Sequence, residues 1–360
     1  MRAKWQDILN FLLPVRGSHR VIESTGCDQA DALLKQLITR QEVPGLAICA
    51  SYKGEAWFSG GYGFANLQAE IPVVPESAVF RIASISKPIT AMALACMVAD
   101  GSLDLQTDIR NYVPEFPQGH GLVNLKQLAA HTAGIRSYKG KEFALNQPMQ
   151  IADSLELFVQ DALVFPPGEG YLYTSLDYVL LSLAMERAQG QPFHELVSQR
   201  VLQPLQMSHT VREVPGEPAE NQVEFYTRRG NGFQKSVPVD TRFKLAGGGY
   251  LSTVSDICRF GEACVKGELL PQALYSEFLT PQQVGGSSTY YGLGWEVSQD
   301  ARGRPFYGHT GNAIGAYTNF KVFPDQELVV AILINASTAG VQPLLDSVVE
   351  ALHQSLPAND

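Results

Sequence analysis

The stretch Phe80-Arg81-Ile82-Ala83-Ser84-Ile85-Ser86-Lys87-Pro88 decides how the chain reads. From Ser84 the apolar residues Ile85, Ile89, Met92, Leu94, Ala95, Met97 and Val98 keep a helical spacing up to Asp100-Gly101, a C-terminal stop. Pro88 indicates where that helix begins. The first four amides of a helix lack intrahelical partners and tolerate proline, whereas later turns do not. The helix therefore starts close to Ser84, which sets a hydroxyl at its positive end. Lys87, three residues on, shares that face and can reach the hydroxyl. A serine needs a base to take its proton, and a lysine can serve only if burial and positive potential lower its pKa from about 10.4. Ser84 is thus the candidate nucleophile, Lys87 its candidate base, and the Ser84 amide a candidate oxyanion donor. The pattern alone carries little, since 24 serines and 11 lysines in 360 residues supply close to one match by chance. A capping serine beside a solvated lysine accounts for the same residues.

Outward from this stretch, the two ends of the chain predict strands and its middle predicts helices. Asp28 to Gln41 reads as an amphipathic helix ended by Pro44-Gly45, and Leu46 to Tyr52 and Ala56 to Gly61 read as strands around the turn Lys53-Gly54. Leu122 to Ala130, Ile151 to Ala162, Leu176 to Gln189 and Val254 to Lys266 read as helices. Ala246-Gly247-Gly248-Gly249 lacks dinucleotide-binding spacing and reads as a close backbone approach. Gly292 to Val297, Ala316 to Phe323 and Leu328 to Asn335 read as strands, the last two joined by Pro324-Asp325-Gln326-Glu327, before a helix from Val341 to Leu352. The expected fold class is α+β, an antiparallel sheet built from both chain ends with a mainly helical region inserted. The expected organisation is an N-terminal segment 1–27, an α/β subdomain of 28–75 with 285–355, and a helical subdomain 76–284, with the active site between the last two.

Composition narrows the function classes. A net charge of −9 without a basic block argues against nucleic acid as a partner. Five scattered cysteines, Cys27, Cys49, Cys96, Cys258 and Cys264, read as free thiols rather than a disulfide framework. No Cys-x-x-Cys and no His-Glu-x-x-His occurs, so the sequence implies no metal or organic cofactor. The apolar run Ile8 to Val15, interrupted by Asn10 and Pro14, makes a poor secretory signal and is too short to span a bilayer. Cytoplasmic location is the expectation.

The chain contains no Gly-x-Ser-x-Gly, so a nucleophile elbow is absent. Instead, Pro167-Gly168-Glu169-Gly170-Tyr171-Leu172-Tyr173-Thr174-Ser175-Leu176-Asp177-Tyr178 and Gly308-His309-Thr310-Gly311-Asn312 follow Ser84 in order. With Leu128 to Ile135 and Tyr291-Gly292-Leu293-Gly294-Trp295, they resemble the serine beta-lactamase-related hydrolases, which include class C beta-lactamases, DD-peptidases and family VIII esterases. The segments Ala83 to Lys87 and Lys244 to Asp256 resemble the LACTB-type, mitochondrial serine beta-lactamase-like subfamily more closely. The resemblance implies that Tyr173 is the catalytic tyrosine and that the Asn312 amide is the second oxyanion donor. It implies that Thr310 and Gly311 belong to the substrate-binding strand, and that Ser175, where asparagine is usual, and His309 contact substrate or tune the proton network. His131 becomes mainly architectural, and homo-oligomers or filaments follow by analogy alone. Histidine at 309 replaces the usual lysine and supplies positive charge only when protonated.

The expected function is an acyl-enzyme serine hydrolase, a peptidase or esterase acting on small ester or peptide substrates. A beta-lactamase or DD-carboxypeptidase is the enzymatic alternative, and a noncatalytic or self-assembling protein the other. The resemblance implies a mitochondrial location should the source be eukaryotic.

Overall fold

The computed structural model describes residues 19–22, 27–337 and 340–357. The run Ile8 to Val15 lies outside them. Seven strands form the spine of the fold: β1 (His19–Ile22), β2 (Gly45–Tyr52), β3 (Glu55–Asn66), β4 (Glu296–Gln299), β5 (Pro305–Ala313), β6 (Ala316–Phe323) and β7 (Leu328–Ile334). They pair antiparallel in the order β1-β3-β2-β7-β6-β5-β4, with Ile71–Pro72 as an eighth strand against β3. The sheet is therefore made from both chain ends, as the sequence leads one to expect. Lys53 and Gly54 both have positive φ, 52° and 78°, which suits the tight turn between β2 and β3.

Side chains alternate across a strand, so each central strand feeds two cores. From β7, Leu328, Val330, Ile332 and Ile334 meet α1 (Asp28–Thr39) and the C-terminal helix Gln342–Gln354. Val329, Ala331 and Leu333 face the other way, into the larger core with α2 (Ser86–Ala99), α3 (Leu125–Ala129), α4 (Ser175–Gln189) and α5 (Val254–Lys266). The C-terminal helix Gln342–Gln354 is α6. Helix α5 begins and ends where expected, with Thr253 accepting from Asp256 N–H and Gly267 in the left-handed region.

Three elements differ from expectation. Ile151 to Ala162 forms only a 3₁₀ stretch, Asp153–Leu157. Ile151, Leu155, Phe158 and Val159 are still buried, but side chains from Ser154 and Arg136 take the carbonyls of Ile151 and Leu157. The helix expected from Leu122 starts at Leu125, because Asn124 forms a capping box with Gln127. Of the strand expected over Gly292 to Val297, residues 292–295 form a turn and the strand runs Glu296–Gln299. Gly294 has φ 88°, and a Cβ there would lie 2.5 Å from Ala91 Cβ. Strand β1 was not expected from the sequence. Among the described residues no helix is long and apolar enough to cross a membrane, and all five cysteines are free.

Candidate active site

Ser84 lies on a 3₁₀ turn, Ala83–Ile85, which feeds directly into α2 at Ser86. Ala83 holds φ at 47°, a strained conformation for a residue with a Cβ. The turn is braced from both sides. Arg81 is buried against Glu213 through a forked ion pair at 2.5 Å, and its other nitrogen donates to Ile314 O at 2.6 Å, just past β5. Thr318 Oγ1 donates to Ile82 O at 3.2 Å. Gly311 lets β5 come this close, since a Cβ there would sit 2.2 Å from Thr318 Oγ1 and 2.9 Å from Ala83 Cβ.

Lys87 is fully buried, with Nζ 3.2 Å from Ser84 Oγ, 3.1 Å from Ser175 Oγ and 2.7 Å from Gly247 O. Burial lowers its pKa to about 7, and the carboxylate of Glu296 partly opposes that shift. A neutral lysine has two N–H donors and one lone pair. Gly247 O and Ser175 Oγ can take the donors, which leaves the lone pair aimed at the Ser84 hydroxyl. The Ala246 to Gly249 segment thus contributes a carbonyl, within a short helical turn, Leu245–Gly248. Tyr173 OH donates to Ser84 Oγ at 2.8 Å. The protein packed around Tyr173 raises its pKa, although 36% of the residue faces the cleft, so it stays a neutral phenol and a proton donor.

Beneath the tyrosine lies a buried layer. His131, with φ 61°, packs its ring among Tyr171, Tyr173, Tyr178 and Tyr291. Its Nδ1 shares a proton with Asp177 Oδ2 across 2.7 Å. Burial pushes the Asp177 carboxyl well above its ordinary range and His131 well below, so the pair sits in its uncharged form. His309 is also held neutral. Burial lowers its pKa to about 3, with Lys87 adding to the shift, while Nδ1 donates to Thr310 O at 2.7 Å and Nε2 accepts from Tyr291 OH at 3.0 Å. Position 309 therefore gives the cleft no positive charge.

The sequence-derived residues converge. Ser84, Tyr173, His309, Thr310 and Asn312 line one cleft of about 500 Å³. Ser175 lines a smaller recess of about 110 Å³ that Ser84 and Asn312 also line, together with Lys244. Strand β4 covers β5 only as far as Gly308, beyond which Thr310 N–H donates to the Glu296 carboxylate at 3.1 Å. Amides two residues apart on a strand point the same way, so Asn312 N–H lies on that same open edge. Sequence reasoning missed Glu296, Asp177 and the strain at Ala83. Asp177 sat unremarked between Leu176 and Tyr178, and nothing local marks Glu296, which simply follows Trp295.

A polar set of this kind around one seryl oxygen, on this fold, defines the class of serine hydrolases. The chain belongs to the Beta-lactamase family, whose sequence model matches residues 30–353. It is 27% identical to the mitochondrial serine beta-lactamase-like protein LACTB of Mus musculus, across 91% of this chain and 79% of that protein. Among solved structures, the D-amino acid amidase from Ochrobactrum anthropi SV3 superposes with a TM-score of 0.81 at 22% identity, covering 92% of this chain and 99% of that one. The octameric penicillin-binding protein homologue from Pyrococcus abyssi gives 0.79 at 22%, covering 91% and 77%. These two likenesses carry the fold alone.

Proposed function

We propose that the protein forms and hydrolyses an acyl-enzyme at Ser84, cleaving ester or amide bonds as a peptidase or esterase similar to LACTB. The observation that carries this reading is Lys87, fully buried with Nζ 3.2 Å from Ser84 Oγ and its pKa lowered to about 7 by that burial. Lys87 takes the seryl proton as Oγ bonds to the substrate carbonyl carbon. The Ser84 and Asn312 amides hold the oxyanion. Tyr173 donates its proton to the leaving group as the carbon–heteroatom bond breaks, and Lys87 returns a proton to Tyr173. Water then adds to the acyl carbon, the Oγ–carbon bond breaks, and the proton goes back to Ser84. Ser175 keeps Lys87 oriented, while His309 and Thr310 line the substrate-facing wall and Gly311, buried against the Ala83 turn, seats the strand that carries them. A neutral His309 argues against efficient cleavage of penicillins, whose carboxylate suits a fixed cation.

The test is a hydrolysis panel of short-chain nitrophenyl esters, peptide anilides and a chromogenic cephalosporin, run on wild type and Ser84→Ala, with labelling by an activated phosphonate. Ser84-dependent labelling and ester or anilide turnover are expected. An unlabelled Ser84 overturns the mechanism. Efficient cephalosporin turnover overturns the substrate preference alone.

A further inference from the structure

Glu296 is a carboxylate that the acyl-enzyme chemistry does not use. It lines the cleft beside Ser84, at the start of β4, and its side chain is 35% exposed. Oε2 is engaged by Thr310 N–H at 3.1 Å, and Oε1 lies 3.4 Å from His309 Nδ1. That imidazole is neutral and gives its proton to Thr310 O, so it does not balance a carboxylate charge. The cations that face Glu296 are occupied elsewhere: Lys87 by Ser84, Ser175 and Gly247, and Lys321 by Asp346 at 2.7 Å. A second observation is independent of the first. The same cleft is walled by tyrosines, with Tyr171 and Tyr290 37% and 63% exposed, alongside Tyr173 and Tyr291. Aromatic faces attract cations, and a carboxylate accepts hydrogen bonds from an ammonium.

We infer that Glu296 and the tyrosine wall form a subsite for a positively charged amino group, so that the preferred acyl donors carry a free amine near the scissile carbonyl. The inference rests on the acyl-enzyme reading and names its substrate class. Burial raises the Glu296 carboxyl to about 7, and an arriving ammonium favours its ionised form. A substrate carboxylate at the same place meets repulsion rather than the cation it needs.

The experiment compares alanine benzyl ester, in both configurations, with its N-acetyl and N-succinyl forms, followed by proton release. In the wild type, kcat/KM for the better configuration of the free amine exceeds that of its N-acetyl form by about 10-fold or more, as for a charge-assisted hydrogen bond. The N-succinyl form is the poorest. In Glu296→Gln, which keeps an acceptor for Thr310 N–H, the ratio of free amine to N-acetyl collapses towards one. Equal wild-type turnover of the amine and N-acetyl esters, with Ser84 labelled by phosphonate, overturns the inference while leaving the acyl-enzyme reading intact. A ratio that stays unchanged in Glu296→Gln overturns it equally. Failure of every ester together with an unlabelled Ser84 overturns both. The wild-type comparison stands whether or not the variant folds.

Discussion

The two faces of the sheet come from the same strands and bury different chemistry. Under α1 and α6, Leu34, Leu37, Leu345, Val348 and Leu352 close over alternate residues of β2 and β7. The opposite face buries Lys87, His131, Asp177 and His309 among its apolar side chains. Ionisable groups are costly to bury, and each of these four has its pKa shifted away from the charged form. One face is built to hold the fold together and the other to hold a proton network. Perturbing each should therefore move different observables.

The largest expected effect is Ser84→Ala, which should lower kcat/KM by about four orders of magnitude or more with little change in melting temperature. Next is Lys87→Met, expected to cost about 10³-fold in activity on the general-base scale. Its stability signature has a definite sign. The folded pKa of about 7 lies below the unfolded value of 10.5, so the unfolded chain binds the proton first as pH falls. Between those values Lys87→Met should gain about 1.4 kcal/mol per pH unit over wild type, and the gain should level off below pH 7. Wild-type kcat/KM should rise with pH through a midpoint near 7, and in Glu296→Gln that limb should persist but move to lower pH, because the Glu296 carboxylate no longer opposes the lowering of the Lys87 pKa. On the other face, Leu345→Ala should destabilise by about 2–5 kcal/mol in urea unfolding while changing kcat/KM less than about twofold. Gly311→Ala should cost about 1–3 kcal/mol, and unlike Leu345→Ala it should lower activity as well, because β5 is pushed off the Ala83 turn.

Elements whose signals are local were legible in the sequence. Helix α5 was legible to the residue over Val254 to Lys266, where the structure caps it with Thr253 and Gly267, and β6 was legible over Ala316 to Phe323, up to the turn at Pro324. Ser84 and Lys87 could be paired because Pro88 locates the start of a helix, and the separation of three residues does the rest. Ile151 to Ala162 misled because burial at helical spacing was satisfied by a short 3₁₀ stretch without a continuous α-helical ladder. The His131–Asp177 contact joins residues 46 apart, and Glu296 reaches the cleft only because the Gly292–Gly294 turn returns the chain along β5. Such contacts depend on how separate elements pack, which periodicity does not encode.

The carbonyl of Gly247 holds Lys87 more closely than either hydroxyl does. A main-chain oxygen is present whatever residue occupies the position, so amino-acid exchange cannot delete this anchor. Residues around the recess can then diversify while the amine keeps its bearing. For anyone redesigning substrate choice, Tyr171, Tyr290 and Glu296 are the parts of the cleft open to change. The course of the backbone from Leu245 to Gly248 is the part to leave alone.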